Sequence, residues 1–118
     1  MPRLVIFRLI IYYNIYKMPI RILEITPSSK AYKRFRIKIS EGDKIKHFDF
    51  GLDSGQTYID HQDKNKRVNY WKRHYANKSE KQLIDNLIPS PALFSARLLW
   101  GLYPTLQDNV KDLQKDFK

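Results

Sequence analysis

Two aspartates and two histidines near the middle of the chain are the residues whose types could support catalysis. They are Asp60, His61, Asp63 and His74. Such groups can together hold a metal ion or relay protons. His61 and His74 lie 13 positions apart, however, without a convincing third ligand or a standard zinc spacing. A structural role is favoured, with His61 and Asp63 at a helix N-terminus and His74 near its C-terminus, where a protonated imidazole suits the helix dipole.

A nuclease interpretation of this segment is the weaker alternative. The pair Asp60-His61 is similar to the start of an HNH-type site, with Asn69 and His74 downstream. The separations are too short for the two strands and the helix that build such a site. Asp60 and Asp63 are better explained as helix caps salt-bridged to the cations at 64, 66 and 67 than as paired catalytic carboxylates. No nucleophile elbow or glycine-rich phosphate loop occurs, so we expect neither an enzyme nor a cofactor.

A dense group of cations is the better candidate for a functional surface. Cations interleaved with an aromatic residue can neutralise phosphates and stack a base. One row follows Asp63 on a predicted helix, and a second row lies on a predicted strand. The alternative is that these cations form an ordinary solvated surface and that Tyr70 and Trp71 only pack within the fold. The candidate polyanion- or partner-binding residues are Arg34, Arg36, Lys38, Lys64, Lys66, Arg67, Tyr70, Lys72 and Arg73.

The net charge of +10 is concentrated in the first two thirds of the chain. Residues 1–78 carry 17 Lys/Arg and 7 Asp/Glu, whereas residues 79–118 carry 5 of each. Such a field favours nucleic acid, anionic lipid or an acidic protein surface as the partner. The absence of cysteine excludes disulfides, thiol catalysis and Cys-type zinc sites. A chain of 118 residues with 42% hydrophobic residues can form one domain with a modest core.

The segment 20–50 predicts three antiparallel strands. Residues 20–25 form the first strand. Residues 34–39 alternate basic and apolar side chains, which is the period-two pattern of a half-buried strand with an all-basic outer face. A hairpin turn at 41–43 returns the chain as a third strand over 44–50.

Four helices are predicted after the sheet, over residues 64–77, 80–87, 91–100 and 106–117. Asp63, Ser90 and Thr105 are suitable N-caps, and Ser79 begins a capping box. Gly101 is a suitable terminator of the third helix. The predicted fold is therefore α+β, with a small antiparallel sheet of about three strands followed by about four short helices.

The helices also have predicted core faces, set by apolar residues at helical spacing. The third helix is expected to be buried on most sides, including its Leu98-Leu99-Trp100 run, for which a partner-binding patch is the alternative. The predicted stripes are Val68, Trp71 and Tyr75 in the first helix, and Leu106, Val110, Leu113 and Phe117 in the last.

Residues 4–16 form a strongly apolar segment with Arg8 inside. It is shorter than the roughly 20 residues of a spanning helix, and it lacks a signal-peptide cleavage site. Its Ile, Val and Tyr content favours a strand or an interfacial anchor, and membrane contact is expected only here. Alternatively, residues 1–17 are an extension outside the native fold. A single domain is predicted over residues 18–118.

A series of short motifs occurs in a fixed order along residues 48–117. In this order they resemble a family of small, basic, functionally uncharacterised proteins of nucleocytoplasmic large DNA viruses, of the giant virus and phycodnavirus type. Residues 79–90 and 92–94 depart from the family pattern, and the first 40 residues show no match. The motifs are Phe50-Gly51, the segment 58–60, His61 with Asp63, the basic segment from Lys66-Arg67 through Tyr70 to Arg73-His74, Leu98-Leu99-Trp100, Pro104-Thr105-Leu106 and the segment 112–117.

The resemblance implies a viral protein of the virion or of the host cytoplasm or nucleus, and it carries no known activity. We therefore predict a non-enzymatic, virion-associated structural protein, a minor capsid component, that binds acidic surfaces of other virion proteins. The alternative is a nucleic-acid-binding accessory protein with electrostatic, weakly sequence-specific DNA binding. The sequence does not predict the oligomeric state.

Overall fold

The computed structural model describes residues 19–117. Three strands, β1 (Ile20–Pro27), β2 (Lys33–Glu41) and β3 (Lys44–Leu52), form an antiparallel sheet in the order β1-β2-β3. Five helices follow the sheet, so the predicted α+β class is confirmed. They are α1 (Tyr58–His61), α2 (Lys64–Tyr75), α3 (Lys78–Asp85), α4 (Pro91–Phe94, extended by a π-helical turn over Ser95–Leu99) and α5 (Leu106–Asp116).

The predictions for the N-terminal residues cannot be compared with this architecture. The strand or membrane-contacting segment at 4–16, and the extension 1–17 that contains it, lie outside the described residues. The single domain over 18–118 stays a prediction. Within residues 19–117, no helix is both long and apolar enough to cross a membrane.

Alternating side chains give the sheet one apolar face. Ile37 and Ile39 of β2 are fully buried. The register places Phe35 opposite Phe50 and Ile37 opposite Phe48, so aromatic rings of β3 extend the same face. Burial of these side chains removes apolar surface from water, which is the main stabilising term of a small core.

The helices α4 and α5 cover the apolar face of the sheet. The ring centroid of Phe94 in α4 lies 5.5 Å from that of Phe48 in β3. Gln114 of α5 accepts the N–H of Ile22 at 2.7 Å and donates its amide N–H to the carbonyl of Ile20 at 2.9 Å. The last helix is therefore held against the first strand by a side chain that satisfies two backbone groups of β1.

Two glycines permit close contacts around α4. Gly51 has a φ of +78°, and a Cβ there would lie 2.8 Å from Cδ1 of Leu99. A Cβ on Gly101 would lie 2.2 Å from the carbonyl oxygen of Arg97 and 2.5 Å from Oδ1 of Asn109. Gly101 follows the helix end as predicted. Its φ is not positive, however, so lack of space requires this glycine rather than a left-handed cap.

Three of the four predicted N-caps are confirmed. The side chains of Asp63, Ser90 and Thr105 accept backbone N–H bonds at the starts of α2, α4 and α5. The predicted cap at Ser79 is wrong, because Asn77 caps α3 and accepts a backbone N–H bond at 3.2 Å. Asparagine is as effective an N-cap as serine, so the helix begins two residues earlier and Ser79 lies in its first turn.

The predicted core stripe is confirmed for α5, whereas in α2 only Trp71 of the three predicted residues packs against the core. In α5, Leu113 is fully buried, and Leu106 and Val110 pack against the core. In α2, Val68 is 47% exposed and Tyr70, which lies outside the predicted stripe, is 7% exposed. The buried face of α2 is therefore set by contacts other than those of aliphatic side chains.

Candidate polyanion-binding site

The helix α2 carries five cations and no acidic residue. Because no carboxylate lies one turn away on the same helix, the usual i,i+4 neutralisation of surface charge does not occur. Within residues 19–117, no ion pair involves any of these cations. The five cations are Lys64, Lys66, Arg67, Lys72 and Arg73.

Arg67 is half-buried and, unlike the other four cations, it is engaged inside the fold. Its Nε donates to the carbonyls of Trp100 at 3.2 Å and Gly101 at 2.7 Å. Its guanidinium carbon lies 5.8 Å from the ring centroid of Tyr58 and 6.0 Å from that of Trp71. A cation at the end of a helix satisfies carbonyls that lack partners, and Arg67 does this for α4.

Tyr70 lies beneath the cations rather than among them. Its ring is stacked on Trp100, with centroids 4.5 Å apart and planes at 5°, and His74 packs against it at 4.1 Å. Burial raises the pKa of Tyr70 well above its ordinary range, so the hydroxyl stays protonated. The interpretation of Tyr70 as an exposed base-stacking residue is wrong, because its ring is covered by its neighbours.

His74 completes this aromatic layer at the end of α2. It lies in the last turn of the helix, as predicted. Its Nδ1 is paired with a carboxylate oxygen of Glu80 in α3. The contact joins α2 to the following helix.

Arg34 is also engaged within the fold. Its Nη1 and Nη2 donate to the two carboxylate oxygens of Asp60 at 2.6 Å and 2.7 Å. This bidentate pair lowers the pKa of Asp60 well below its ordinary value, and the Thr57 N–H, which Asp60 accepts at 2.8 Å, adds to the effect. Asp60 is a salt-bridged cap, as predicted. Its partner is Arg34, not the α2 cations that were expected.

The other two strand cations lie on the outer face of the sheet. Arg36 is placed opposite Asp49, and Lys38 opposite Glu24. The outer face of the whole sheet therefore carries both acidic and basic side chains. The basic row predicted for residues 34–39 belongs to β2. The helix α2 and the strand β2 do not pack closely against each other.

Four cations of α2 remain exposed, and we refer to them as the cationic face. Lys66 and Arg73 lie seven positions apart and so share one side of the helix. Asn69 lies between them and is also exposed. The cationic face comprises Lys64, Lys66, Lys72 and Arg73.

A cleft lies beside this face, between α2, the segment after β3 and the end of α4. It consists of two adjoining depressions with volumes of about 420 Å³ and 410 Å³. Both are lined by Gln56, Tyr70, Arg73 and Trp100. We call the pair the α2 cleft. Its walls come from three distant parts of the chain. No sequence motif indicated a role for Gln56.

His61 lies at the wall of this cleft. Its Nδ1 accepts the N–H of Asp63 at 2.9 Å, and Asp63 caps α2, so the predicted role at the helix start is confirmed. Its Nε2 is buried and has no hydrogen-bond partner among the described residues. The part of the chain that the structure describes contains no group of three or more His, Cys, Asp or Glu able to hold a metal ion.

The comparisons with known proteins locate one related segment. A family of unknown function, DUF5754, matches residues 23–74. This segment runs from β1 to the penultimate residue of α2, so it includes the Arg34–Asp60 pair and the cationic face but not Trp100. The chain is similar to that family over this segment, which is less than half of its length. No curated protein and no solved structure matches the chain.

Proposed function

We propose that the protein is a non-enzymatic binding protein whose cationic face docks on the phosphate backbone of nucleic acid. One observation carries the proposal: a twelve-residue helix holds five cations and no carboxylate, and only one of the five is used inside the fold. The other four have no ion-pair partner within residues 19–117, so the helix carries a dense positive field.

The chemistry of the face suits phosphates better than base edges. Each cation that neutralises a phosphate releases a condensed counterion, which makes such binding strongly salt-dependent. Asn65 and Asn69 place neutral donors among the cations, and amide donors commonly contact phosphate oxygens. Binding of this kind positions a protein on nucleic acid with little sequence preference.

The test is a titration of the full chain with fluorescent double-stranded DNA at several salt concentrations. Four phosphate contacts predict a slope of log affinity against log salt of about −3.6, at about −0.9 per contact. The double variant Lys64→Ala/Lys72→Ala should reduce this slope by about 1.8. The matched control is Lys111→Ala/Lys115→Ala, which removes two exposed cations from α5 and should leave the slope unchanged.

Two results would count against the proposal. Equal weakening by the control would mean that net charge, rather than the cationic face, attracts DNA. An absence of binding at about 50 mM salt, where electrostatic affinity is strong, would remove nucleic acid as the partner.

A second candidate is a minor capsid component of a large DNA virus that binds an acidic surface of another virion protein. The observation that favours it is an exposed apolar pair at one end of the sheet. Tyr32 is 77% exposed and Leu52 is 64% exposed, and the Asp53 N–H donates to the Tyr32 carbonyl at 3.3 Å. Exposed aromatic and aliphatic side chains are typical of protein interfaces. This candidate predicts stoichiometric recovery from purified virions, reduced by Tyr32→Ser/Leu52→Ser, and little DNA affinity.

A further inference from the structure

The first depression of the α2 cleft is lined by hydrogen-bond donors. Its charged residues are Lys66 and Arg73, and its neutral polar residues include Gln56, His61 and Asn69. No carboxylate lines it. A depression in which every polar side chain can donate and none carries negative charge is suited to an anion.

The two cations are placed to hold one anionic group from one side. Lys66 and Arg73 are separated by two helical turns, about 10.5 Å along the axis, and Asn69 lies between them. Neither cation has an ion-pair partner within residues 19–117. Long side chains of this kind can converge on a phosphate, with the guanidinium able to bind two of its oxygens.

His61 adds a donor that the fold leaves unpaired. Because Nδ1 accepts the Asp63 N–H, the neutral ring carries its proton on Nε2. That Nε2 is buried without a partner among the described residues, which is unfavourable for a polar group. The ring lies edge-on to Trp100, at 5.4 Å between centroids. An anion in the cleft would place negative charge beside this donor.

The second depression is suited to the uncharged part of the same ligand. Its apolar lining includes Leu52, Pro91, Ala92 and Leu99, and its polar lining, which can hydrogen-bond a sugar or a base, includes Lys33, His74 and Glu80. The stacked rings of Tyr70 and Trp100 form a rigid wall that both depressions share. Each depression falls in the range of about 300–1,000 Å³ that is typical of small-molecule sites.

We propose that the α2 cleft binds a nucleotide through its terminal phosphate. Lys66 and Arg73 hold the phosphate, and the sugar and base extend along the Tyr70–Trp100 wall into the second depression. The ligand is a free mononucleotide or the phosphorylated end of a nucleic acid, which present the same chemistry to the cleft. The inference goes beyond backbone docking, because it requires a phosphomonoester and a shaped cleft rather than a row of phosphates.

The first measurement is calorimetric titration of the full chain with AMP and with adenosine. Removal of the phosphate should weaken binding at least about tenfold, because it removes the charge-assisted contacts. Affinity for AMP should also rise between pH 5.5 and pH 7.5, since the second phosphate proton is lost near pH 6. Equal affinity for AMP and adenosine, or binding of neither AMP nor a phosphorylated oligonucleotide, would overturn the proposal.

A pair of short oligonucleotides separates the two sources of the phosphate. Both are single-stranded and of the same sequence, and one carries a 5′-phosphate whereas the other carries a 5′-hydroxyl. If the phosphorylated oligonucleotide binds more tightly than both its 5′-hydroxyl counterpart and AMP, the ligand is a nucleic acid end. Tighter binding of AMP identifies the free nucleotide.

Two double variants separate the cleft from the rest of the cationic face. Lys66→Ala/Arg73→Ala removes the two α2 cations that line the cleft, and Lys64→Ala/Lys72→Ala removes the two α2 cations that do not. The first should reduce AMP affinity at least about tenfold and the second less than about twofold, although both should weaken duplex DNA binding. Equal loss of AMP affinity in the two variants would mean that the overall positive charge, not the cleft, attracts AMP, and would contradict the inference. Binding of AMP without binding of duplex DNA would contradict only the backbone-docking function.

Discussion

The helices α2 and α5 are similar in length, with twelve and eleven residues, but they use their charges in opposite ways. In α5, Asp112 and Asp116 accept from Nη2 of Arg97 at 3.1 Å and 2.7 Å, and Asp108 accepts from Thr105 at 2.9 Å. In α2, none of the five cations has an ion-pair partner within the described residues. The fold thus pairs two aspartates of α5 with Arg97 and leaves the cations of α2 without carboxylate partners.

The buried faces of the two helices differ in the same way. The face of α5 combines apolar burial, with Leu113 fully buried, and directed bonds, since the buried Asn109 donates to the carbonyls of Leu98 and Tyr103. The face of α2 is polar and aromatic, since Arg67 binds two carbonyls and Tyr70 stacks on Trp100. Aliphatic burial therefore contributes to the docking of α5, whereas the docking of α2 depends on polar and aromatic contacts to the end of α4.

The largest expected effect compares one apolar residue in each helix. Leu113→Ala should lower the free energy of unfolding by about 2–5 kcal/mol, because it leaves a cavity in the core. Val68→Ala should change it by less than about 0.5 kcal/mol, because Val68 is 47% exposed. Urea denaturation of both variants provides the measurement. A large loss of unfolding free energy in Val68→Ala would mean that Val68 contributes to the core, and would contradict the difference drawn between the two helices.

The second effect concerns the directed contacts of α2. Arg67→Met keeps much of the side-chain length but removes the donor to two carbonyls, and should cost about 1.5–3 kcal/mol. Lys64→Met, which changes the same charge at an exposed position, is the matched control and should remain within about 0.5 kcal/mol of the wild type. Thermal and urea unfolding measure both. Similar losses in the two variants would mean that charge alone, not the carbonyl contacts, stabilises the docking of α2.

The smallest effect concerns two aspartates that pair with arginine. Asp60→Asn should cost about 1–2 kcal/mol at pH 7, because it weakens both a helix cap and the bidentate pair with Arg34. Asp116→Asn in α5 should cost less than about 0.5 kcal/mol, because Asp116 is half exposed and makes one contact with Arg97.

The loss in Asp60→Asn should also depend on pH. Arg34 lowers the pKa of the Asp60 carboxyl below its ordinary 3.8, so its stabilisation is present above that value and is lost as the pH falls toward the lowered pKa. The difference in unfolding free energy between the wild type and Asp60→Asn should therefore shrink below about pH 4. A difference that stays constant from pH 7 to pH 2 would show that the ion pair does not stabilise the native state.

The features that the sequence predicted are those set by short-range patterns. Alternation at 34–39 predicted β2, and Asp63, Ser90 and Thr105 predicted helix starts, because strand period and capping depend only on neighbouring residues. The buried face of α2 was missed because the partners of Arg67 are backbone carbonyls 33 and 34 positions away. Apolar periodicity carries no information on such contacts.

The candidate site follows the same division. The density of cations after Asp63 predicted the cationic face, because charge composition is local. The engagement of Arg34 and the burial of Tyr70 could not be predicted, since each depends on a partner placed by the tertiary fold. The cleft could not be predicted for the same reason, because Gln56 and Trp100 meet there although four helices separate them along the chain.

The docking of α2 on the end of α4 has a spectroscopic consequence. The chain contains two tryptophans, and both lie at this junction, where the indole Nε1 of Trp71 donates to the carbonyl of Trp100 at 2.7 Å. The tryptophan fluorescence of the protein therefore originates at a single contact between two parts of the molecule. Detachment of α2 would hydrate both indoles and shift their emission to longer wavelength, so the protein carries an internal optical reporter that needs no attached dye.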